Sequence, residues 1–155
     1  MPTEKYDGHH DYLDPQKYSA QTDVSPAMQR VVEGGRNRFA TVLWYLANPD
    51  SGGETYFPRA GGLRQPPETA TNCAYEDGDA QVGLKVPARR RHATLFYNVR
   101  PDAVVDPFSF HAGCPPKGQS AKWACNQWVW NRELDEDWSQ SVEKLQHLIN
   151  AQGYT

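Results

Sequence analysis

Hydrophobic residues along this chain fall into short runs, which segments rich in glycine and proline separate. The longest run, Phe39 to Leu46, is β-branched and aromatic and is apolar almost throughout. That pattern predicts a strand buried on both faces. Shorter runs of similar character predict strands at Glu54–Phe57, Leu84–Val86, Ala93–Val99 and Asn126–Asn131, and a strand end at Phe108–His111.

Two long segments lack a sustained hydrophobic period and predict loops. Residues 1–35 mix charge, proline and glycine, with breaks at Asp14-Pro15 and Ser25-Pro26 and a short helical turn near Met28–Glu33. Residues 58–79 are rich in Gly, Pro, Thr and Asp. Loops of this length in compact domains are often functional, so residues 58–79 and the part of the first loop from Leu13 to Gly35 are each interpreted either as plain surface or as a lid over a site.

The C-terminal pattern differs from the rest of the chain. Between Glu133 and Ala151, apolar residues recur every three to four positions, which predicts an amphipathic helix ended by Gly153. Short strands at turn-punctuated intervals, with one closing helix, indicate a mainly β fold. A β-sandwich and an open barrel with helical support both satisfy this pattern.

Composition narrows the class of protein. A chain of 155 residues fits one domain, and a net charge of -3 disfavours nucleic acid as a partner. The longest apolar stretch, Phe39 to Ala47, is about half of the roughly 20 residues that a membrane span needs. The N-terminal residues are polar and contain no recognisable targeting signal.

The three cysteines are Cys73, Cys114 and Cys125, and none belongs to a CxxC pair. A zinc ribbon and a thioredoxin-type redox site are therefore disfavoured. The residues alone leave two alternatives, one disulfide with one remaining thiol or three free thiols.

The segment His9-His10-Asp11 is the first candidate for chemistry. In an extended strand, residues i and i+2 point to the same side, so His9 and Asp11 would present an imidazole and a carboxylate to one point while His10 faces away. A further histidine would complete a facial triad, which leaves three positions on iron(II) open. The alternative for this segment alone is a solvated polar N-terminus.

Two later residues extend this picture. His111 ends an apolar segment and precedes small residues that allow close backbone approach, although a hydrogen-bonded histidine at a strand end would look the same. Lys122 stands among tryptophans on a predicted barrel strand. It would either meet the carboxylate of a dicarboxylic acid or extend its ammonium to solvent from an edge strand.

Four motifs follow one another along residues 5–131. Lys5 to Tyr12 (KYDGHHDY) fits K-Y-x-x-H-x-D-Y, and Arg38 to Leu46 (RFATVLWYL) fits R-x-A-T-x-L-x-Y-L. Gly52 to Pro58 (GGETYFP) fits G-G-E-T-x-F-P. His111 to Pro115 (HAGCP), followed by Lys122-Trp123, fits H-x-G-C-P and a K-W pair. In their order and content, these motifs resemble those of the prolyl 4-hydroxylases, which are iron(II)/2-oxoglutarate-dependent dioxygenases.

The resemblance implies a fold and a domain organisation. The family fold is a double-stranded β-helix, a jelly-roll barrel whose mouth holds the iron. We therefore expect one domain over residues 1–155, with a core at 5–131 and a helix at about 133–151. Family domains carry a helical layer and a first barrel strand before the H-x-D segment, so the resemblance also implies a barrel that is N-terminally incomplete.

Carried over residue by residue, the resemblance implies an iron site and a cosubstrate site. His9, Asp11 and His111 would hold the iron. Lys122 would pair with the distal carboxylate of 2-oxoglutarate, and Thr55 would hydrogen-bond the same carboxylate.

The remaining implied positions concern the substrate and the cysteines. Tyr6, Arg38 and Trp128 match positions that face the peptide in the family. Cys73 and Cys114 match positions where related enzymes carry a disulfide.

The implied reaction is 4-hydroxylation of prolyl residues in a proline-rich peptide or protein. Iron(II), 2-oxoglutarate and O2 would be required, succinate and CO2 would be the co-products, and ascorbate would serve as reductant. The family works mostly in the endoplasmic reticulum and the secretory pathway, which is the expected compartment.

Two departures from the family pattern leave other functions open. Trp130 stands where some members have a histidine near the substrate, so another peptidyl or small-molecule C–H is an alternative target. The incomplete start leaves an inactive, truncated relative as a further alternative. Arg91 stands where the family usually has a glycine in a tight turn, which predicts a differently shaped hairpin.

Overall fold

The computed structural model describes residues 5–19, 26–60, 73 and 83–132. Within these ranges the chain is mainly β, as the hydrophobic pattern predicted. The predicted C-terminal helix at about 133–151 lies outside the described residues, and so does most of the predicted loop at 58–79. No helix in the described ranges is both long and apolar enough to span a membrane.

Nine strands, two α-helices and one 3-10 turn make up this part of the chain. In chain order they are β1 (Tyr6–His9), α1 (Pro15–Ser19), α2 (Pro26–Gly34), β2 (Arg38–Tyr45), β3 (Ser51–Gly52), β4 (Thr55–Phe57), β5 (Leu84–Val86), β6 (Ala93–Tyr97), the 3-10 turn Pro107–Ser109, β7 (His111–Gly113), β8 (Pro116–Lys117) and β9 (Ala124–Trp130).

The strands form two main antiparallel sheets and a short two-stranded ribbon. The first sheet has the order β1-β7-β4-β5, the second has the order β6-β2-β9, and β3 pairs with β8. Aromatic contacts connect the two main sheets: the Phe96 ring of β6 lies 5.1 Å from Phe57 of β4 and 4.8 Å from His111 of β7. The space between the sheets is therefore where side chains from both sheets can meet.

Strand β2 is the centre of the second sheet, but it is not buried on both faces as its apolar run predicted. Thr41, Leu43 and Tyr45 are buried and share one face by the alternation of a strand. Trp44 and Leu46, on the other face, are 46% and 55% exposed. The run is apolar on both sides, but only the inward side packs against the other sheet in the described part of the molecule.

The predicted N-terminal loop contains two helices, so that prediction was wrong in part. Pro15 and Pro26 begin α1 and α2 instead of acting as breaks, because proline is tolerated in the first helical turn, where its missing N–H costs nothing. The side chain of Asp14 accepts a hydrogen bond from the Gln16 N–H at 3.0 Å, as a helix-capping residue does. The helical turn expected near Met28–Glu33 is confirmed within α2.

The predicted strand end at Phe108–His111 was wrong in its position. Residues Pro107–Ser109 form the 3-10 turn, and the Asp106 side chain caps it by accepting from the Phe108 N–H at 2.9 Å. Strand β7 starts only at His111. The turn therefore places His111 at the first position of β7.

Arg91 lies in the turn between β5 and β6, which belong to different sheets, so the hairpin expected here is not formed. Arg91 has a φ of 69°, in the left-handed region that favours glycine. Its N–H donates to the Tyr45 carbonyl at 3.1 Å, which holds the turn against the end of β2. Arginine thus occupies a glycine-type conformation at this turn.

Candidate metal centre

Two histidines and one aspartate meet between the sheets. Potential ligand atoms of His9, Asp11 and His111 all lie within 4.8 Å of one another. The histidines meet because β1 pairs with β7 and places His9 directly opposite His111, with ring centroids 4.4 Å apart. These are the three residues that the sequence predicted as metal ligands, and His10 does not belong to the group.

Asp11 reaches this point by a different route from the one predicted. Strand β1 ends at His9, and Asp11 lies in a bend beyond it, so strand alternation does not explain the shared direction. Its side chain is held by Thr41 of β2, whose hydroxyl donates to Oδ2 at 2.7 Å. The other carboxylate oxygen, Oδ1, lies 3.5 Å from Nε2 of His9. The prediction of convergence agrees with the structure, but its stated cause was wrong.

Both histidines are oriented in the same way. Nδ1 of His9 lies 2.8 Å from the carbonyl of Asp7, and Nδ1 of His111 lies 2.9 Å from the carbonyl of Ser109. A carbonyl can only accept, so each Nδ1 carries the proton and donates it. Each Nε2 is then left with a lone pair, which is the form in which histidine binds a metal.

The three groups differ in how their protonation is set. Burial opposes ionisation of Asp11, but hydrogen bonds from His9 and Thr41 outweigh it and lower the pKa of Asp11 to about 2. Burial lowers the pKa of His111. For His9, burial also acts to lower the pKa, but the hydrogen bonds to Asp11 and to the Asp7 carbonyl raise it overall.

This donor set fits a divalent metal of the iron(II) type. Near neutral pH, Asp11 supplies a negative charge and His111 is neutral, while the pKa of His9 is raised by the carboxylate that a cation would neutralise. Two imidazoles and one carboxylate on one side of a metal form the facial triad of non-haem iron(II) oxygenases. No other group of three potential ligands is found among the residues that the structure describes.

A second polar cluster lies on the inward face of β2. The Tyr45 hydroxyl donates to Oγ1 of Thr55 at 2.8 Å and is 3.1 Å from Oγ1 of Thr94. Nζ of Lys122 lies 5.7 Å from the centre of the Tyr45 ring. Burial lowers the pKa of Lys122, and the nearby charge of Glu54 acts in the opposite direction. The Thr55 hydroxyl proton and the Lys122 ammonium are therefore available to a bound carboxylate.

The setting of Lys122 differs from the one predicted. It precedes β9 instead of lying on a strand, and the neighbouring Trp123 is 65% exposed. Its aromatic neighbour is Tyr45, and the lysine lines a cavity of about 480 Å³ together with Tyr6 and Gly113. The lysine is half-buried and faces this cavity, so it does not behave as a surface residue of an edge strand.

Sequence reasoning missed Thr41, Tyr45 and Thr94 as site residues. Thr41 and Tyr45 belong to the apolar run of β2 and were interpreted as core. A usable signal was present, because two hydroxyl-bearing residues four positions apart lie on the same face of a strand. Buried hydroxyls need partners, so polar residues on the inward face of an apolar strand indicate a polar site.

The residues expected to face the substrate lie at the rim of the metal centre. The Arg38 guanidinium stacks 3.5 Å from the centre of the Trp128 ring and donates to the Asp11 carbonyl at 3.4 Å. The Tyr6 ring lies 4.6 Å from that of His9 and is 68% exposed. Trp130 lies beneath the guanidinium of Arg36, at 5.0 Å.

A groove of about 780 Å³ opens beside His9 and His10. Aromatic and imidazole side chains form much of its wall, among them His9, His10, Tyr12, Tyr18 and Phe110. His10 is oriented by Ser109, whose Oγ lies 3.1 Å from its Nδ1. An extended ligand in this groove would lie next to the metal centre.

Cys73 and Cys114 form a disulfide, and Cys125 is free and exposed. Cys114 follows β7, and its N–H donates to the Glu54 carbonyl at 2.9 Å. The bridge joins a residue of the long 58–79 segment to the strand that carries His111.

A protein-family model described as the 2OG-Fe(II) oxygenase superfamily matches residues 1–130. The chain belongs to this superfamily. The match covers both clusters, the triad of His9, Asp11 and His111 and the hydroxyl cluster around Tyr45. It confirms the class of protein that the four motifs predicted.

Curated relatives of this superfamily member include several plant proteins. It is 39% identical over 119 residues to a probable prolyl 4-hydroxylase 4 of Arabidopsis thaliana, which covers 74% of this chain and 37% of that protein. It is 42% identical over 117 residues to prolyl 4-hydroxylase 5 of the same plant, which covers 73% of this chain and 37% of that protein. The chain thus spans a little over a third of the length of these relatives.

Solved structures show the same fold. A viral collagen prolyl hydroxylase from Paramecium bursaria Chlorella virus-1, in a complex with 2OG, aligns with a TM-score of 0.53 at 24% identity. The alignment covers 86% of this chain and 55% of the viral chain. At this identity the likeness supports the mainly β oxygenase fold and nothing finer.

Proposed function

We propose that this oxygenase uses iron(II), 2-oxoglutarate and O2 to hydroxylate prolyl residues at C4 in peptides or proteins. The observation that carries the proposal is the meeting of His9, Asp11 and His111, with both Nδ1 atoms bound to backbone carbonyls, both Nε2 atoms left for a metal and the carboxylate ionised. The names of the curated relatives, which are prolyl 4-hydroxylases, support the choice of prolyl substrate.

The residues of this chain would form two adjacent sites, one for iron and one for 2-oxoglutarate. His9, Asp11 and His111 would hold the iron and leave adjacent positions for the cosubstrates. Lys122 would neutralise the distal carboxylate of 2-oxoglutarate, and Thr55, whose hydroxyl oxygen accepts from Tyr45, would donate its own proton to it. When bound, iron would activate O2, which is the oxidant: one oxygen atom would end in succinate as 2-oxoglutarate loses CO2, and the other would enter the substrate C–H bond.

The substrate would bind on the exposed side of the metal centre. Tyr6 and the stacked pair of Arg38 and Trp128 form one rim, and the aromatic groove beside His10 is open to an extended chain. A proline-rich segment in the polyproline II conformation suits a groove of this kind, because aromatic walls contact its rings and its backbone is already extended.

Three finer parts of the proposal rest on the family, and one of them, the compartment, also rests on the cysteines. Ascorbate is proposed as the reductant that keeps the iron reduced. The endoplasmic reticulum or secretory pathway is proposed as the compartment, and the Cys73–Cys114 disulfide supports an oxidising environment. One domain over residues 1–155 is proposed as the folding unit.

Succinate release tests the proposal. The purified chain is incubated with iron(II), 2-oxoglutarate, ascorbate and a poly-proline peptide, and hydroxyproline and succinate are both measured. We expect His111→Ala to abolish both products, because it removes a metal ligand. His10→Ala is the matched control, since His10 does not belong to the ligand group, and it should retain 2-oxoglutarate turnover. Wild-type turnover no higher than that of His111→Ala would contradict the proposal.

A second candidate substrate class follows from Trp130. Its ring lies 5.0 Å from the Arg36 guanidinium and 5.8 Å from that of Arg38, so an arginine-stacked aromatic wall borders the site. Such a wall would also accept a non-prolyl ring or side chain. Mass spectrometry of reacted peptide pools distinguishes the two, because oxidation at residues other than proline would favour this alternative.

A further inference from the structure

The two oxygens of Asp11 have different environments. Oδ2 accepts a hydrogen bond from the Thr41 hydroxyl at 2.7 Å, and both side chains are almost fully buried. Oδ1 lies on the side of His9, 3.5 Å from Nε2. One carboxylate oxygen is therefore engaged by the protein, and the other faces the point where the three ligand side chains converge.

Thr41 is itself held by Asn98 of the neighbouring strand region. Nδ2 of Asn98 donates to Oγ1 of Thr41 at 3.1 Å, and Asn98 is fully buried. Its backbone is fixed on both sides, since its N–H donates to the Phe39 carbonyl at 2.8 Å and its carbonyl accepts from the Asp106 N–H at 3.0 Å. Asn98 therefore has little freedom to turn away.

The two hydrogen bonds run in one direction, from the Asn98 amino group to Oγ1 of Thr41 and from the Thr41 hydroxyl to Oδ2 of Asp11. A carboxylate only accepts, so the single hydroxyl proton of Thr41 must point at Oδ2. The hydroxyl oxygen can then only accept from its other neighbour, which requires the amino group of Asn98 to face it. The sequence of donors is therefore Asn98 to Thr41 to Asp11.

We propose that Asn98 and Thr41 are positioning residues that restrict Asp11 to binding the metal through Oδ1 alone. The inference rests on the proposed metal site. A carboxylate that binds through both oxygens would occupy two of the six positions of an octahedral ion and leave only about two open. A chelating cosubstrate and O2 together need three.

Binding of the metal through both oxygens of Asp11 would be favourable if Thr41 lacked its hydroxyl. Without the Thr41 hydroxyl, Oδ2 would be a buried, charged oxygen with no donor, which is costly. A metal ion beside Oδ2 would stabilise this charged oxygen by binding it as a second carboxylate ligand. The hydroxyl removes this tendency because it satisfies Oδ2 before a metal arrives.

The water count on bound Mn2+ tests the inference without any turnover. Mn2+ is loaded into the full chain, and its inner-sphere waters are counted by water proton relaxivity and by line broadening of the EPR signal in 17O-enriched water. Thr41→Val is the main variant, because valine matches threonine in shape and lacks only the hydroxyl. Thr41→Ser is the rescue variant, because it restores the hydroxyl.

The expected result is about three exchangeable waters in the wild type and in Thr41→Ser, and about two in Thr41→Val, so that inner-sphere relaxivity falls by roughly one third. Equal water counts in Thr41→Val and the wild type would overturn the role of Thr41 while leaving the metal site intact. Failure of the wild type to bind Mn2+ would overturn the metal site and the inference together.

Asn98→Leu provides a second variant of similar size, which keeps the Thr41 hydroxyl but removes its donor. The hydroxyl can then rotate away from Asp11, so we expect a water count between those of the wild type and Thr41→Val. This measurement stands if Thr41→Val fails to fold. A count in Asn98→Leu equal to that of the wild type would overturn the role of Asn98.

Discussion

Nε2 of His9 lies 3.5 Å from Oδ1 of Asp11, and this pair sets how the site responds to pH. The pKa of His9 is raised by its hydrogen bonds to Asp11 and to the Asp7 carbonyl, although burial acts to lower it. A metal needs the neutral imidazole. Metal affinity should therefore fall as the pH drops through the raised pKa of His9, with about one proton released per metal bound.

Calorimetric titration with Mn2+ in two buffers of different ionisation enthalpy measures this proton release. His111 contributes little to it near neutral pH, because burial lowers its pKa and leaves it neutral. The effect should vanish in His9→Ala together with most of the affinity, and it should persist in His10→Ala. Proton release that is unchanged in His9→Ala would contradict the assignment.

The stability of the metal-free protein should decrease in mildly acidic solution because of His10. Burial and the nearby charge of Arg59 lower the pKa of His10 from 6.5 to about 4. Between these two values the unfolded chain binds a proton that the folded chain does not, so the free energy of unfolding falls as the pH falls through this window. The lowered pKa of His111 acts in the same direction.

Urea unfolding at several pH values between 4 and 7 measures this slope. His9 does not cancel it, because its raised pKa stabilises the folded state fully below 6.5 and loses that contribution only as the pH rises above this value. His10→Gln keeps a hydrogen-bonding side chain near Ser109 but does not titrate, so it should flatten the slope. An unchanged slope in His10→Gln would argue against this origin.

Tyr45→Phe should weaken the binding of 2-oxoglutarate. The variant removes the hydroxyl that donates to Thr55 at 2.8 Å, and it keeps the ring beside Lys122. Loss of a neutral hydrogen bond that orients Thr55 costs about 0.5 to 1.5 kcal/mol, so KM for 2-oxoglutarate should rise roughly 2- to 10-fold. Because the metal ligands are untouched, Mn2+ affinity should stay unchanged, and a large loss of metal binding would contradict the proposed division of sites.

Individual residues show how far the sequence could lead. The candidate ligands could be predicted, because His9, Asp11 and His111 lie in motifs that resemble one family. The reason for their convergence could not be predicted, since it depends on the pairing of β1 with β7 and on the contact between Asp11 and Thr41. Both are long-range contacts that local pattern does not encode.

Strand β2 illustrates the same limit. Its apolar run correctly predicted a strand. The run did not indicate which face points inward, or that the hydroxyls of Thr41 and Tyr45 form hydrogen bonds at the candidate site. Composition gives the amount of apolar surface, whereas burial depends on what other elements cover. Likewise, prolines in the first turns of α1 and α2 signal either a break or a helix start, and only the following hydrogen bonds decide.

Loss of the Cys73–Cys114 disulfide should destabilise the chain. The bridge spans a sequence separation of 41 residues, for which the chain-entropy model gives about 4 kcal/mol. Cys114→Ser should lower the midpoint of thermal unfolding, and a reducing agent should do the same in the wild type. Cys125→Ser is the matched control, because Cys125 is exposed and free, and it should leave the midpoint nearly unchanged. Equal effects from both substitutions would contradict a stabilising bridge.

The most direct test of the central claim is the visible charge-transfer absorption that appears when 2-oxoglutarate chelates iron(II), recorded without oxygen. It reports in one spectrum that the metal is bound and that adjacent positions are open to a chelating ligand. We expect this band in the wild type and in His10→Ala, and we expect its loss in His111→Ala. Absence of the band in the wild type, or a band of equal strength in His111→Ala, would contradict it.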